Sequence, residues 1–262
     1  MTHANAPSPS VGPVRAGGPP SPPRSTLVVT AHAGDFVWRA GGAVALAACR
    51  GEKVTIACLT FGERGESAQA WRAGKTLKEI KAIRREEAER AADALGAEVR
   101  FYDAGDYPLL PTAELTDQLV AVYRETQPDV VLTHPAEDPY NGDHPAANRM
   151  AMEARVLAQA VGYPGPGEII GVPPVFYFEP HQPEMSGFRP EVLLDITEVW
   201  DIKRKAMECL AAQQHLWAYY TDLAVRRGVQ LKRNAGPNLG LAYDTMAEAF
   251  MRPFPQIAKE LA

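Results

Sequence analysis

Short runs of β-branched and apolar residues, separated by stretches with helical periodicity, limit what this chain can become. Residues 26–31 (TLVVTA) form the first run, and residues 54–60, 99–102 and 129–133 repeat the pattern. Runs this short and continuously apolar suit strands buried on both faces, which require helices on both sides of a parallel sheet. Helical spacing fills the intervals at about 42–50, 76–95, 115–125 and 145–160. Further strand runs at 175–179 and 192–196 precede a long helical stretch from about 198 to 227 and a final helix near the C-terminus. The alternation predicts an α/β fold, Rossmann-like and doubly wound, with a mainly parallel sheet. With no internal repeat and no second linker, residues 25–262 read as a single domain. Residues 1–24 are rich in Pro, Gly, Ser and Ala, with pairs at Pro19 and Pro20 and at Pro22 and Pro23. They bury too little apolar surface to offset their ordering entropy and read as a disordered tail.

Bulk composition removes several classes of function. A formal charge of −5 over 262 residues gives no basic footprint for DNA or RNA, so no nucleic-acid partner is expected. No apolar run approaches the roughly 18 residues that span a bilayer, and the N-terminus lacks a basic-then-apolar leader. Cys49, Cys58 and Cys209 are sparse, odd in number and without ligand spacing, which suits a reducing compartment. The expectation is a cytoplasmic protein with no membrane partner.

In a doubly wound sheet, ligands bind just beyond the carboxyl ends of the strands. The first run leads into His32, with Asp35 one tight turn later; the fourth leads into His134, and Asp143 and His144 follow. Two imidazoles and a carboxylate with open positions suit a catalytic zinc and equally Fe(II). The residues alone leave ordinary loop side chains as the alternative. Glu63 and Glu66 follow the second run, and His181 follows the fifth.

The block AHAGD followed by GG (31–35, 41–42) resembles the Ala-His-Pro-Asp-Asp…Gly-Gly signature of the LmbE/PIG-L-like zinc deacetylase family. FGERGES (61–67) and GDHP (142–145) match that family's later blocks, and the resemblance runs from residue 25 to about 200. It implies that His32, Asp35 and His144 hold a divalent metal, zinc first, with Fe2+ or another transition metal as alternatives. Two departures stand out. The family's general base falls on Gly34, and the histidine that stabilises its oxyanion falls on Asn141. Amide hydrolysis needs a proton acceptor and a donor, which glycine cannot supply. The strings AHAGDFVWRAGG, FGERGESAQAW, DPYNGDHP and PPVFYFEPHQPE are similar to a hydratase branch of the family that also lacks the base. That likeness extends into WDIKRKAMECLAAQQHLW (200–217). It implies a hydro-lyase adding water to a small-molecule tricarboxylate of gallate catabolism, and a homo-oligomer.

On this reading, Gly34 removes a carboxylate that would repel the anionic substrate by roughly 1–4 kcal/mol at about 4 Å, and makes space for it. Glu66 orients and activates water, Glu63 is structural, and His181 is the general acid. Arg39, Arg64 and Arg72 are the candidate cations for substrate carboxylates, with Tyr140 and Asn141 as hydrogen-bond donors. His134 bonds within the site, and His215 packs on a helix with Trp217. His3 lies in the tail, and residues 83–90 (IRREEAER) form a charged helix face without function. Two other readings are an N-deacetylase of an N-acetylglucosaminyl conjugate with Glu66 as base, and a metal-binding protein without catalysis.

Overall fold

In the computed structural model, which describes residues 24–235 and 240–257, the apolar runs become strands of one seven-stranded sheet ordered β3-β2-β1-β4-β5-β7-β6. These are β1 (Ser25–Thr30), β2 (Lys53–Cys58), β3 (Glu98–Phe101), β4 (Val130–Thr133), β5 (Val175–Phe178), β6 (Val192–Asp195) and β7 (Ala247–Met251). Strands β1 to β5 pair in parallel, whereas β7 runs antiparallel to both β5 and β6. All six residues of β1 are buried, as a central strand requires. Successive side chains alternate between two cores. Val28, Val54, Ile56 and Cys58 face one, while Leu27, Val29, Ala57 and Val131 face the other.

Helices α1 (Asp35–Cys49), α3 (Leu77–Leu95), α6 (Trp200–Glu208) and α7 (Leu216–Ala235) cover the first core. Helices α4 (Ala113–Thr126) and α5 (Asp143–Gln159) cover the second, and a short α2 (Ala68–Arg72) lies beyond β2. The chain moves outward from β1 in both directions, to β2 on one side and β4 on the other. Their carboxyl ends therefore flank the crevice where such folds bind ligands. No helix among the described residues is long and apolar enough to cross a membrane.

Four sequence expectations need correction. Helix α1 begins at Asp35 rather than near residue 42, because Gly41 and Gly42, weak helix formers, conceal its first turns. The long helix expected from 198 to 227 is two helices, α6 and α7, separated by residues 209–215. His215 lies in that break, exposed, and not on a helix with Trp217. The final helix is replaced by β7, whose sequence AEAFM has helix-favouring composition but is claimed by pairing with β5 and β6. The tail expected at residues 1–24, and His3 within it, lies outside the described residues apart from Arg24.

Strand β7 also secures the helix that carries Asp35. Glu248 accepts the amides of Gly42 and Ala43 at 2.7 and 2.9 Å and pairs with buried Lys203 Nζ at 2.7 Å. Lys203 in turn donates to the Trp38 carbonyl at 3.1 Å. The ion pair is spliced into the middle of α1 with its charges satisfied. Removing one partner strands the other charge in the interior. Glu248→Ala is expected to cost about 3–5 kcal/mol of folding stability, read from urea denaturation; a loss below about 1 kcal/mol would mean that Lys203 finds solvent.

Candidate metal centre

The turn between β1 and α1 brings His32 and Asp35 together. Asp35 N donates to the His32 carbonyl at 3.3 Å, and the Asp35 carboxylate returns to accept the His32 amide at 2.9 Å. Both side chains are buried, and His32 Nδ1 lies 3.1 Å from Asp35 Oδ2. The opposite nitrogen, His32 Nε2, faces Asp143 Oδ2 at 3.3 Å. Asp143 is itself held by the amides of Tyr107 at 2.9 Å and Leu109 at 2.8 Å. His32 therefore spends its N–H on Asp143 and turns the Nδ1 lone pair towards Asp35.

His144, in the first turn of α5, repeats this arrangement. Its Nδ1 lies 2.8 Å from Asp138 Oδ2, which leaves Nε2 facing Asp35 Oδ1 at 3.6 Å. His144 Nε2 is buried and has no hydrogen-bond partner among the described residues. Donor atoms of His32, Asp35 and His144 all lie within 4.8 Å of one another. Ligand bonds of about 2.0–2.2 Å would separate neighbouring donors of a tetrahedral ion by about 3.3–3.5 Å, close to the separations here. An orphaned imidazole nitrogen among converging lone pairs, with each outer N–H on a carboxylate, fits a divalent metal.

The electrostatics agree. Burial acts to discharge His32, yet Glu66, Asp143 and Asp35 raise its pKa well above the ordinary imidazole value. Burial likewise opposes charge on Asp35, but His144, His134 and His32 hold the carboxyl well below its usual range. The site attracts positive charge. His134 completes the surround: its Nε2 accepts the Ala31 amide at 2.9 Å and its ring stacks on His144 at 4.2 Å. Burial and the His144 charge push its pKa down to about 3, so it stays neutral.

Beyond β2, Gly62 adopts φ +67, a left-handed conformation that turns the loop back so that Glu66 packs over it. Glu66 Oε1 then lies 3.4 Å from His32 Nδ1, and Oε2 accepts Arg84 Nη2 at 3.1 Å. Burial and the nearby Asp35 raise the Glu66 pKa, against the pull of His32 and Arg84. Glu63 points elsewhere, with its carboxylate on the Phe61 amide and near Lys81. The charged face expected at 83–90 is corrected at two positions: Glu87 is buried, and Arg84 is fully buried and holds Glu66, Glu87, the Phe61 carbonyl and Gln213.

The space expected beside Gly34 is absent. A Cβ at Gly34 would lie 2.7 Å from both Gln213 Oε1 and Trp38 Nε1. The side chain of Gln213, from the break between α6 and α7, fills the position.

The remaining candidates are distributed as follows. His181 stacks on Tyr219 at 4.3 Å, and burial with the Arg39 charge lowers its pKa. Arg39 is buried, with Nε on Asp35 Oδ1 at 3.3 Å and Nη1 on the Glu179 carbonyl at 2.9 Å, so it braces a metal ligand. Arg64 is half-exposed, with Nη1 on the Asp106 carbonyl at 2.8 Å. Arg72 lines a polar cavity of about 290 Å³ together with Glu66, Gln213 and His215. Tyr140 is exposed, and Asn141 Oδ1 accepts the Asp143 amide at 3.1 Å where α5 begins.

Asp138, Asp143, Arg84 and Gln213 had no assigned role from sequence. Asp143 lies within the GDHP block and Asp138 a few residues before it, which was a usable signal, because ligating imidazoles ordinarily give their second N–H to a carboxylate. Arg84 carried no such signal, and Gln213, although it lies within the 200–217 string, is far along the chain from the cage residues it faces.

Residues 27–155 match the family described as PIG-L: GlcNAc-PI de-N-acetylase. Over 245 residues the chain is 51% identical to the 4-oxalmesaconate hydratase of Pseudomonas putida, covering 92% of this chain and 94% of that one. The crystal structure of GalB, the 4-carboxy-2-hydroxymuconate hydratase of the same species, superposes with a TM-score of 0.88 at 52% identity, over 91% of this chain and 100% of that one. Diacetylchitobiose deacetylase of Thermococcus kodakarensis is 28% identical over 198 residues, 72% of this chain and 70% of its own.

Asp138→Asn is expected to weaken zinc binding roughly 10- to 100-fold, measured by competition with a chromogenic chelator. Equal affinity in the variant and the parent would show that Asp138 does not orient His144.

Proposed function

The chain belongs to the PIG-L family of metal-dependent enzymes, and from that membership we propose that it is a hydratase adding water to 4-oxalomesaconate (4-carboxy-2-hydroxymuconate) to give 4-carboxy-4-hydroxy-2-oxoadipate. The observation that carries this reading is the closed position at Gly34, in a chain half identical to a hydratase along nearly its whole length. A deacetylase of the family carries a carboxylate at this position, where Gln213 Oε1 and Trp38 Nε1 stand 2.7 Å from a Cβ and would have to move. We assign zinc as the resident metal, held by His32, Asp35 and His144, and place the enzyme in the cytoplasm as a homo-oligomer acting on a soluble trianion.

When bound, the divalent ion supplies Lewis acidity that lets a water give up its proton near neutral pH. Glu66 stands beside the ligand cage with one oxygen tied to Arg84 and the other free to face that water, which it orients and deprotonates. Its raised pKa makes it a better proton acceptor than an exposed carboxylate. Hydroxyl joins one carbon of the double bond, and the neighbouring carbon takes a proton from His181. Glu66 then releases its proton to solvent and His181 takes one up from solvent, so both groups are restored and one water is consumed. Arg72 on the cavity wall, with the exposed Arg64 and Tyr140, meets the substrate carboxylates. Arg39 acts on the substrate through Asp35, and Asn141 shapes the loop that presents His144.

Zinc- or iron-loaded protein is expected to bleach the near-ultraviolet absorbance of the conjugated enol substrate; an unchanged spectrum removes the hydratase reading. Glu66→Gln and His181→Ala are each expected to lower kcat roughly 10²- to 10⁴-fold, measured in the same assay. The pH profile follows from the sign of the His181 shift. Burial and Arg39 lower its pKa in the free enzyme, and a bound trianion pulls the other way. The acid form is lost as pH rises, so the alkaline limb of kcat should lie at higher pH than that of kcat/KM. Coincident limbs would exclude His181 as the proton donor.

A further inference from the structure

Gln213 is held in an orientation that its neighbours dictate. Arg84 Nη2 donates to Gln213 Oε1 at 2.9 Å, and Trp38 Nε1 donates to the same oxygen at 3.3 Å. Both groups are donors only, so the amide carbonyl must face them and Nε2 must face away. The backbone on either side is also tied down. Ala212 N donates to Glu87 Oε1 at 2.9 Å, and Gln213 N donates to the Leu210 carbonyl at 3.1 Å. Glu87 is itself paired with Arg84 at 2.7 Å. The residue is 6% exposed, yet it lines the polar cavity of about 290 Å³ beside Glu66. Its Nε2 has no protein acceptor among the described residues.

The same cavity carries Arg72 and His215 on its walls. A fixed amide donor next to two basic side chains, one step from the water-handling carboxylate, is an arrangement for an anionic oxygen. Two oxygens of that cavity are already engaged: Gln213 Oε1 by Arg84 and Trp38, and Glu66 Oε2 by Arg84.

We propose that Gln213 is a substrate-contacting residue whose Nε2 donates a hydrogen bond to a carboxylate or enolate oxygen of a polycarboxylate, with Arg72 as the flanking cation and the His215 side chain beside it. The inference rests on the hydratase reading and adds its specificity determinant. The amide oxygen of Gln213 fills the place beside Gly34, tied to Arg84 and Trp38, so the donor Nε2 is aimed at a different point of the site.

The test is Gln213→Glu, which keeps the size and the acceptor for Arg84 but replaces the donor with a carboxylate. Gln213→Met is the second variant, which keeps the volume and removes the amide. On metal-loaded enzyme, Gln213→Glu should raise KM at least tenfold with kcat changed less than threefold. Tricarballylate affinity, measured by calorimetry, should fall in proportion for both variants. Melting curves accompany each measurement. A lowered melting temperature with unchanged KM and unchanged tricarballylate affinity overturns the proposal and leaves Gln213 a packing residue. If Gln213→Glu does not fold, the Met variant decides by the same two readings. If the parent turns over no hydratase substrate, the function reading falls and calorimetry alone judges Gln213: equal affinity in parent and variants overturns it, as does a parent that binds no tricarballylate.

Discussion

Three lone pairs directed at one buried point are the constraint around which the rest is arranged. His32 Nδ1, the Asp35 carboxylate and His144 Nε2 converge inside 4.8 Å, a crowding that only positive charge relieves. Each imidazole is turned that way by a carboxylate behind it, Asp143 for His32 and Asp138 for His144. Asp35 is turned by Arg39, and Arg39 is fixed by the Glu179 carbonyl at the end of β5. Glu179 is anchored from its other end by Arg227 of α7, so the cage is braced from elements far apart in the chain.

The sheet supplies the precision. His32 follows β1, Glu66 follows β2, His144 follows β4 and His181 follows β5, all at the same carboxyl edge. Because β1 is buried along its whole length and paired on both sides, its end cannot drift relative to β2 and β4. The loops that complete the site are short or heavily bonded. Asp106 alone accepts the amides of Arg64 and Gly65 and steadies the turn that presents Glu66. Rigid placement of this kind is what proton transfer requires, since its rate depends on donor and acceptor lying within hydrogen-bond reach.

The central strands and the cage were legible because their signals are local. Residues 26–31 and 129–133 are apolar without interruption, and His32, Asp35 and His144 sit in compact motifs directly after such runs. What escaped reading was decided by distant partners. Residues 247–251 have the composition of a helix, and only pairing with β5 and β6, with Glu248 on Lys203, makes them a strand. Arg84 and Glu87 lie in a run of charges that looks like a solvated face, and nothing nearby in sequence marks them as the pair turned inward. Gly34 was legible as a missing base, but the occupant of the gap comes from 179 positions away, at Gln213.

The stretch from 27 to 155 that matches the family contains every ligand of the cage, whereas His181 and Gln213 lie outside it. The candidate cage and the side chains proposed to select the substrate thus come from different stretches of the chain. A brief interruption between two helices can therefore accept new side chains while the cage goes untouched. A change in the connector between α6 and α7 would alter the wall beside Glu66 while leaving His32, Asp35 and His144 in place.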